Sequence, residues 1–317
     1  MRIVLLVILI LLLLLLTAGY GLFLLGIVRF PWKKEPEPEQ AGFLRPFAGQ
    51  IREGMNWFRN QNPQEVFIRS YDGLRLAGWF IPAKQARGTL LLFHGFRGSH
   101  LIDFAAAYED FHEMGWNILA VDQRAHGESE GKYICFGVKE RFDVKSWALY
   151  LCDRFGAAHP VVLDGISMGA ATVLMSLDTG LPENVRGVVA DCGFTTPKAE
   201  FRHVFRSRWR IPVPEHPLMD IAEGFTRLLA GFGFEDASTL KALAENRLPV
   251  LLVHGGSDHL VPTEFSRQNY DACRGLKQLV IVPEAGHGVS YLLDREQCCG
   301  ALREFLDGIA WRAHMKN

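Results

Sequence analysis

Six short aliphatic runs, separated by amphipathic stretches, limit the folds open to this chain. They are Thr89–Phe93, Asn117–Val121, Val161–Leu163, Gly187–Ala190, Val250–Val253 and Gln278–Val282. Each is apolar at nearly every position, which is the pattern of a strand buried on both faces. Between the runs, Phe104, Tyr108 and Phe111 share one helical face, as do Val144, Trp147 and Leu151. Strands alternating with helices predict a mostly parallel sheet with helices on both sides. Ahead of the first run, EVFIRS and LRLAGWFIP flank the Asp72-Gly73 turn and predict an antiparallel hairpin, giving eight strands in all. The alternation fails at about 195–245, where FRHVFRSRWRIPVPEHPLMD leads into IAEGFTRLLAGFGF. This span is too long for a simple crossover and predicts a helical cap over the carboxyl edge of the sheet. Within it Arg202, Arg206, Arg208 and Arg210 fit a solvated helix face better than an anionic contact.

The N-terminus has a different character. From Ile3 to Val28 the chain carries no charge, and Thr17 and Tyr20 are its only polar side chains. The run exceeds the ~20 residues that cross a bilayer and the roughly 7–15 apolar residues of a signal peptide. It predicts an uncleaved single-pass anchor over residues 1–30. Arg2 flanks it on one side, and Arg29, Lys33 and Lys34 on the other, so the positive-inside rule keeps the following domain cytoplasmic. The acidic, proline-rich EPEPEQAG (Glu35 to Gly42) predicts an extended spacer within a linker and juxtamembrane segment at 31–64. The catalytic domain then runs over 65–317, with every strand downstream of the anchor.

The third run ends in DGISMGA, a Ser hemmed by Gly165 and Gly169. That G-x-S-x-G pattern is the sharp strand-to-helix turn that holds a nucleophilic hydroxyl out at the end of a sheet. A glycine-rich corner can contain a serine by chance, so the other strand ends matter. The Val250–Val253 run leads into HGGSDHLVP, with Asp258 just past the strand, and the Gln278–Val282 run into PEAGHG, with His287. Ser167, Asp258 and His287 thus lie past three strand ends, where open α/β sheets bind ligands. A serine hydroxyl needs a base to take its proton, a role for His287, and the imidazolium needs a carboxylate, a role for Asp258. The backbone N–H of Met168, next to the serine, supplies one donor for the oxyanion. That of Phe96, in the loop after Thr89–Phe93, is the best candidate for the second. Asp191, at the end of the Gly187–Ala190 run, is a rival acid; His254, His259, His126 and Cys192 fit packing or loop roles.

LLLFHGFRGS, AVDQRAHGESEG, DGISMGA, LLVHGGSDHLVP and PEAGHG together resemble the α/β-hydrolase family. Within it they are most similar to the serine-aminopeptidase-like and monoglyceride-lipase-like group and its membrane-anchored relatives. The likeness covers roughly Glu65 to the C-terminus. It implies the α/β-hydrolase fold and a Ser–Asp–His order along the chain. It also implies structural roles for the histidine of the HG pair and for Asp122, Arg124, His126, Gly127, Ser129 and Gly131. The family commonly has Gly where this chain has Ala125.

Composition closes off other classes. With 34 basic and 35 acidic residues the chain offers no nucleic-acid surface. Its six cysteines form no C-x-x-C and are expected as reduced thiols. No metal-ligand spacing, phosphate fingerprint or cofactor lysine motif appears, so neither metal nor cofactor is expected. The sequence therefore predicts a membrane-anchored serine hydrolase for carboxylic esters of lipid or acyl-glycerol type. An amidase or aminopeptidase with the same triad is the alternative, with Glu215, Asp220 or Glu223 of the cap to bind a free amine. A non-catalytic scaffold on the same fold is the third possibility. Substrate chain length, head group and oligomeric state are not set by these patterns.

Overall fold

The computed structural model describes residues 1–30, 37–39, 42–209 and 215–314. The expected spacer lies largely outside them, as do Lys33, Lys34 and Arg210. Eight strands form one sheet: β1 (Gln64–Arg69), β2 (Arg75–Ile81), β3 (Thr89–Phe93), β4 (Asn117–Val121), β5 (Val161–Ile166), β6 (Val185–Asp191), β7 (Val250–Gly255) and β8 (Lys277–Val282). Their order across the sheet is β1-β2-β4-β3-β5-β6-β7-β8. The two pairings of β2 are antiparallel and the rest are parallel. This is the α/β-hydrolase fold, with the predicted opening hairpin at one edge.

The aliphatic runs are uninterrupted because both faces are covered. On β3, Leu90 and Leu92 join one core with Phe111, Leu302 and Leu306. Leu91 and Phe93, pointing the other way, join a second core with Trp147, Val173 and Leu243. The helices that cover these faces include α3 (His100–Asp103), α4 (Tyr108–Glu113), α5 (Glu140–Phe155) and α6 (Met168–Met175). Others lie between β6 and β7: α7 (Pro197–Val204), α8 (Glu215–Phe225) and α9 (Thr239–Glu245), the span predicted as a cap. After β7 come α10 (Thr263–Ala272), α11 (Ser290–Leu293) and α12 (Arg295–His314).

Two N-terminal helices complete the chain, α1 (Arg2–Ile27) and α2 (Ala48–Asn60). The second, within the predicted linker, buries Ile51, Met55 and Phe58 from one stripe and packs on α3 and α4. Helix α1 has two regimes. Met1 to Ala18 is exposed except for the half-buried Leu15, whereas Gly19, Phe23 and Ile27 are buried. Gly19 is where α1 meets α8: a Cβ there would collide with the Ile221 side chain. Tyr20 and Phe23 then pack on Phe225, and a bridge pairs Val28 with Tyr133. Helix α1 thus docks on the cap through its last two turns, and Phe23 and Ile27 join a third apolar cluster with Met168, Phe194 and Phe234.

Candidate active site

Strand β5 turns into α6 through Gly165, Ile166 and Ser167, and the turn is so tight that glycine is needed on both sides. A Cβ at Gly165 would strike the backbone of Gly169, and one at Gly169 would strike the Phe93 carbonyl of β3. Ser167 itself sits at φ 57°, a left-handed conformation that a side chain adopts only under strain. Its N–H donates to the Asp191 carbonyl at 2.8 Å, which fixes the turn against β6.

The loops after β7 and β8 bring their side chains to this turn. His287 Nε2 lies 2.9 Å from Ser167 Oγ, and His287 Nδ1 lies 2.8 Å from Asp258 Oδ2. The other carboxylate oxygen of Asp258 accepts from the Leu260 and Val261 N–H groups at 2.8 and 2.9 Å. Burial alone raises the Asp258 carboxyl. Hydrogen bonds from His254, His287 and the Val261 N–H outweigh it and hold the group well below the usual carboxylate range. An ionised Asp258 accepts a hydrogen bond from the Nδ1–H, which leaves Nε2 free to take a proton from Ser167.

Met168 and Phe96, the two candidate oxyanion donors, border the same cavity as Ser167. The Met168 N–H belongs to the first turn of α6, where backbone N–H groups lack helical partners. The Phe96 loop is braced from three sides. Asp103 Oδ2 accepts from the Gly95 N–H at 2.7 Å, His126 Nε2 accepts from the Arg97 N–H at 3.0 Å, and the Arg97 guanidinium donates to the Leu25 carbonyl at 2.6 Å. Neither Asp103 nor the contact to Leu25 is signalled by a sequence motif.

The remaining motif residues hold loops. Arg124 binds Asp143 and Asp72, Asp122 Oδ2 accepts from the Glu128 N–H, and Ser129 donates to the Asp122 carbonyl. Ala125 adopts φ 62°, which explains the glycine usual at that place. His254 hydrogen-bonds Ser266 and the Val261 carbonyl, beneath the Asp258 loop. His259 lends only its carbonyl, to His203. Asp191 is buried, its Oδ1 has no hydrogen-bond partner among the described residues, and burial pushes its carboxyl upward; it makes no hydrogen bond to His287. The thiol of Cys192 lies within 4.8 Å of the ligand atoms of Asp258 and His287. Burial raises that thiol well above its ordinary range.

Ser167 opens onto a cavity of about 270 Å³ walled by Phe96, Phe194, Phe201 and Met219, among others. One face is built by α1 through Leu22, Phe23, Leu25, Gly26 and Ile27. Among the described residues, Glu200 of α7 is the only acidic or basic side chain on the lining. It is 6% exposed, its Oε2 has no hydrogen-bond partner among the described residues, and burial, aided by the Asp258 charge, pushes its carboxyl up to about 8. Of the acids singled out in the sequence, Asp220 and Glu223 do not line this cavity. Asp220 is exposed, Glu223 binds Arg227 and the Phe234 N–H, and the side chain of Glu215 lies outside the described residues.

Residues 88–213 match the family defined by the alpha/beta hydrolase fold. Fold and matched segment agree on the α/β-hydrolase fold for this chain. Among curated proteins it is similar to the uncharacterized protein YqkD of Bacillus subtilis, with 27% identity over 80% of this chain and 82% of that one. It is also similar to the uncharacterized protein YfhR of Escherichia coli, with 26% identity over 71% and 73%. Among solved structures it resembles the Pyrococcus furiosus esterase Pf2001, with a TM-score of 0.66, 24% identity and coverage of 80% and 94%. It also resembles the esterase EaEST of Exiguobacterium antarcticum, with a TM-score of 0.58, 19% identity and coverage of 77% and 100%.

Proposed function

We propose that the chain is a membrane-anchored serine hydrolase that cleaves carboxylic esters of lipid-derived or acyl-glycerol type. The observation that carries this is the hydrogen-bonded line Asp258–His287–Ser167 ending at the mouth of an apolar cavity. His287 Nε2 takes the proton as Ser167 Oγ attacks the ester carbonyl. Asp258 stabilises the imidazolium, and the Met168 and Phe96 N–H groups receive the oxyanion. Collapse of the tetrahedral intermediate breaks the ester C–O bond, and His287 passes its proton to the leaving alcohol. Water, deprotonated by the same imidazole, then releases the acid and restores Ser167. Likeness to solved esterases is consistent with this chemistry.

Helix α1 is the proposed membrane anchor, at a mean hydropathy of 3.1. Its exposed stretch of about 18 residues spans about 27 Å, close to the hydrocarbon thickness of a bilayer. A cleaved leader would leave Phe136, Phe194 and Phe234 without the Phe23 and Ile27 side chains that pack with them, which favours a retained helix. The positive cluster after α1 and six free cysteines support a cytoplasmic domain.

Glu200 favours one second reading, an amidase or aminopeptidase whose substrate amine restores the buried carboxylate. A panel of p-nitrophenyl esters and aminoacyl anilides separates the two. Ester turnover without anilide turnover supports the first, and the reverse supports the second.

A further inference from the structure

Helix α1 is expected to tether the domain, yet its last two turns form a wall of the cavity that Ser167 opens on. Phe23 and Ile27 are 2% and 1% exposed, packed among cap and elbow residues. Leu22, Leu25 and Gly26 border the cavity as well. Leu25 is 56% exposed, so this wall has one side on the cavity and another on the surroundings of α1. Gly19 marks the depth at which α1 leaves the surroundings and enters the cap, through close packing on Ile221 of α8. A helix that spans the membrane up to Gly19 therefore delivers its next two turns straight to the catalytic pocket.

We propose that the last two turns of α1 are a specificity-determining part of the active site, lining the channel for the hydrocarbon chain of an ester drawn laterally from the bilayer. This rests on the serine-hydrolase reading above. Among the described residues the channel is apolar apart from Ser167 and Glu200 of α7, so it suits an alkyl chain. Its wall is continuous with the membrane helix, so a chain sliding along α1 reaches Ser167 without crossing water. The glycine at position 26 sets the width. A Cβ there meets nothing within 4 Å, so a side chain at this position on the cavity wall starts in open space, and a large one should narrow the channel.

The test uses the full chain in detergent or vesicles and compares kcat/KM for octanoyl and acetyl p-nitrophenyl esters. Gly26→Phe should lower the octanoyl-to-acetyl ratio at least tenfold, mainly through KM of the longer ester. Leu22→Ala widens the same wall and should raise the ratio for still longer chains. Gly21→Phe, at a neighbouring glycine that also has no atoms within 4 Å of its Cβ but does not border the cavity, should leave the ratio unchanged. Chain-length ratios unchanged from wild type in both Gly26→Phe and Leu22→Ala, with wild-type ester turnover intact, would overturn the α1 wall while sparing the hydrolase reading. If Gly26→Phe fails to fold, Leu22→Ala alone decides. Absence of ester turnover in the wild type would instead sink the hydrolase reading on which the inference stands.

Discussion

The guanidinium of Arg97 donates a hydrogen bond of 2.6 Å to the backbone carbonyl of Leu25, joining the loop after β3 to the last turn of α1. Arg97 also stacks over Phe96 and Phe30, and its N–H is held by His126. The candidate oxyanion donor next to Arg97 is therefore positioned partly by the N-terminal helix. Replacing Arg97 with Ala removes this tie and leaves a helix-terminal carbonyl without its partner. Loss of one oxyanion donor costs about 10²–10³ in kcat, and a loosened one should cost less, roughly tenfold, with KM for a short ester nearly unchanged. Steady-state kinetics on acetyl esters check this, and Arg97→Lys should recover part of the loss. A change confined to KM would contradict it.

Two truncations separate the exposed and docked parts of α1. Removing residues 1–18 strips the exposed apolar stretch and leaves Phe23 and Ile27 in place. Removing 1–34 takes both, and burial of such side chains is worth about 1.5–3 kcal/mol each. The shorter truncation should retain short-ester turnover. The longer should melt several degrees lower and lose turnover of long-chain esters first. Matching melting temperatures and chain-length profiles for the two would show that the docked turns contribute nothing.

Glu200 predicts a pH signature in stability. Its carboxyl is pushed from 4.5 up to about 8 in the folded state, so across that window the native protein binds more protons than the unfolded chain. Stability from this group is complete below about pH 4.5 and is lost as pH rises through about 8. Glu200→Gln keeps the volume and removes the titration. Thermal unfolding of both proteins from pH 5 to 9 should show the variant gaining on the wild type as pH rises, by up to a few kcal/mol. Asp122, raised to about 6 by burial, titrates in both proteins and cancels. Parallel curves would place Glu200 in contact with water.

The choice of triad acid is testable in one assay. Asp258 contacts His287 Nδ1, whereas Asp191 has an unpartnered Oδ1 and no hydrogen bond to the ring. Asp258→Asn should lower kcat by about 10²–10⁴ with little change in KM, in line with the known cost of the same change in a serine protease. Asp191→Asn should cost less than tenfold. The opposite ranking would transfer the role to Asp191.

The strands, and the convergence of Ser167, Asp258 and His287, were legible because local pattern decides them. Aliphatic runs mark β3 to β8, and Ser167, Asp258 and His287 each follow a strand end at a glycine-rich turn. The docking of α1 was not legible. A leucine-rich helix presents the same apolar pattern to lipid, to a cap helix and to a substrate channel, and only the close approach at Gly19 distinguishes them. Glu200 was missed because a glutamate in the first turn of a short helix ordinarily faces water, and its burial depends on how α7 sits over the sheet. The α2 helix, hidden in the predicted linker, shows a buried stripe of Ile51, Met55 and Phe58, a spacing visible in the sequence once read at helical period.

The central claim is that Ser167 is an activated nucleophile. A fluorophosphonate probe reacts with a serine only when a neighbouring base has primed it, and it needs no knowledge of the natural substrate. The full-length chain should label stoichiometrically, with the adduct on Ser167 by peptide mass spectrometry, and Ser167→Ala should label not at all while its melting temperature stays near the wild type. Labelling that persists in a folded Ser167→Ala, or wild-type protein that never labels, would contradict the account.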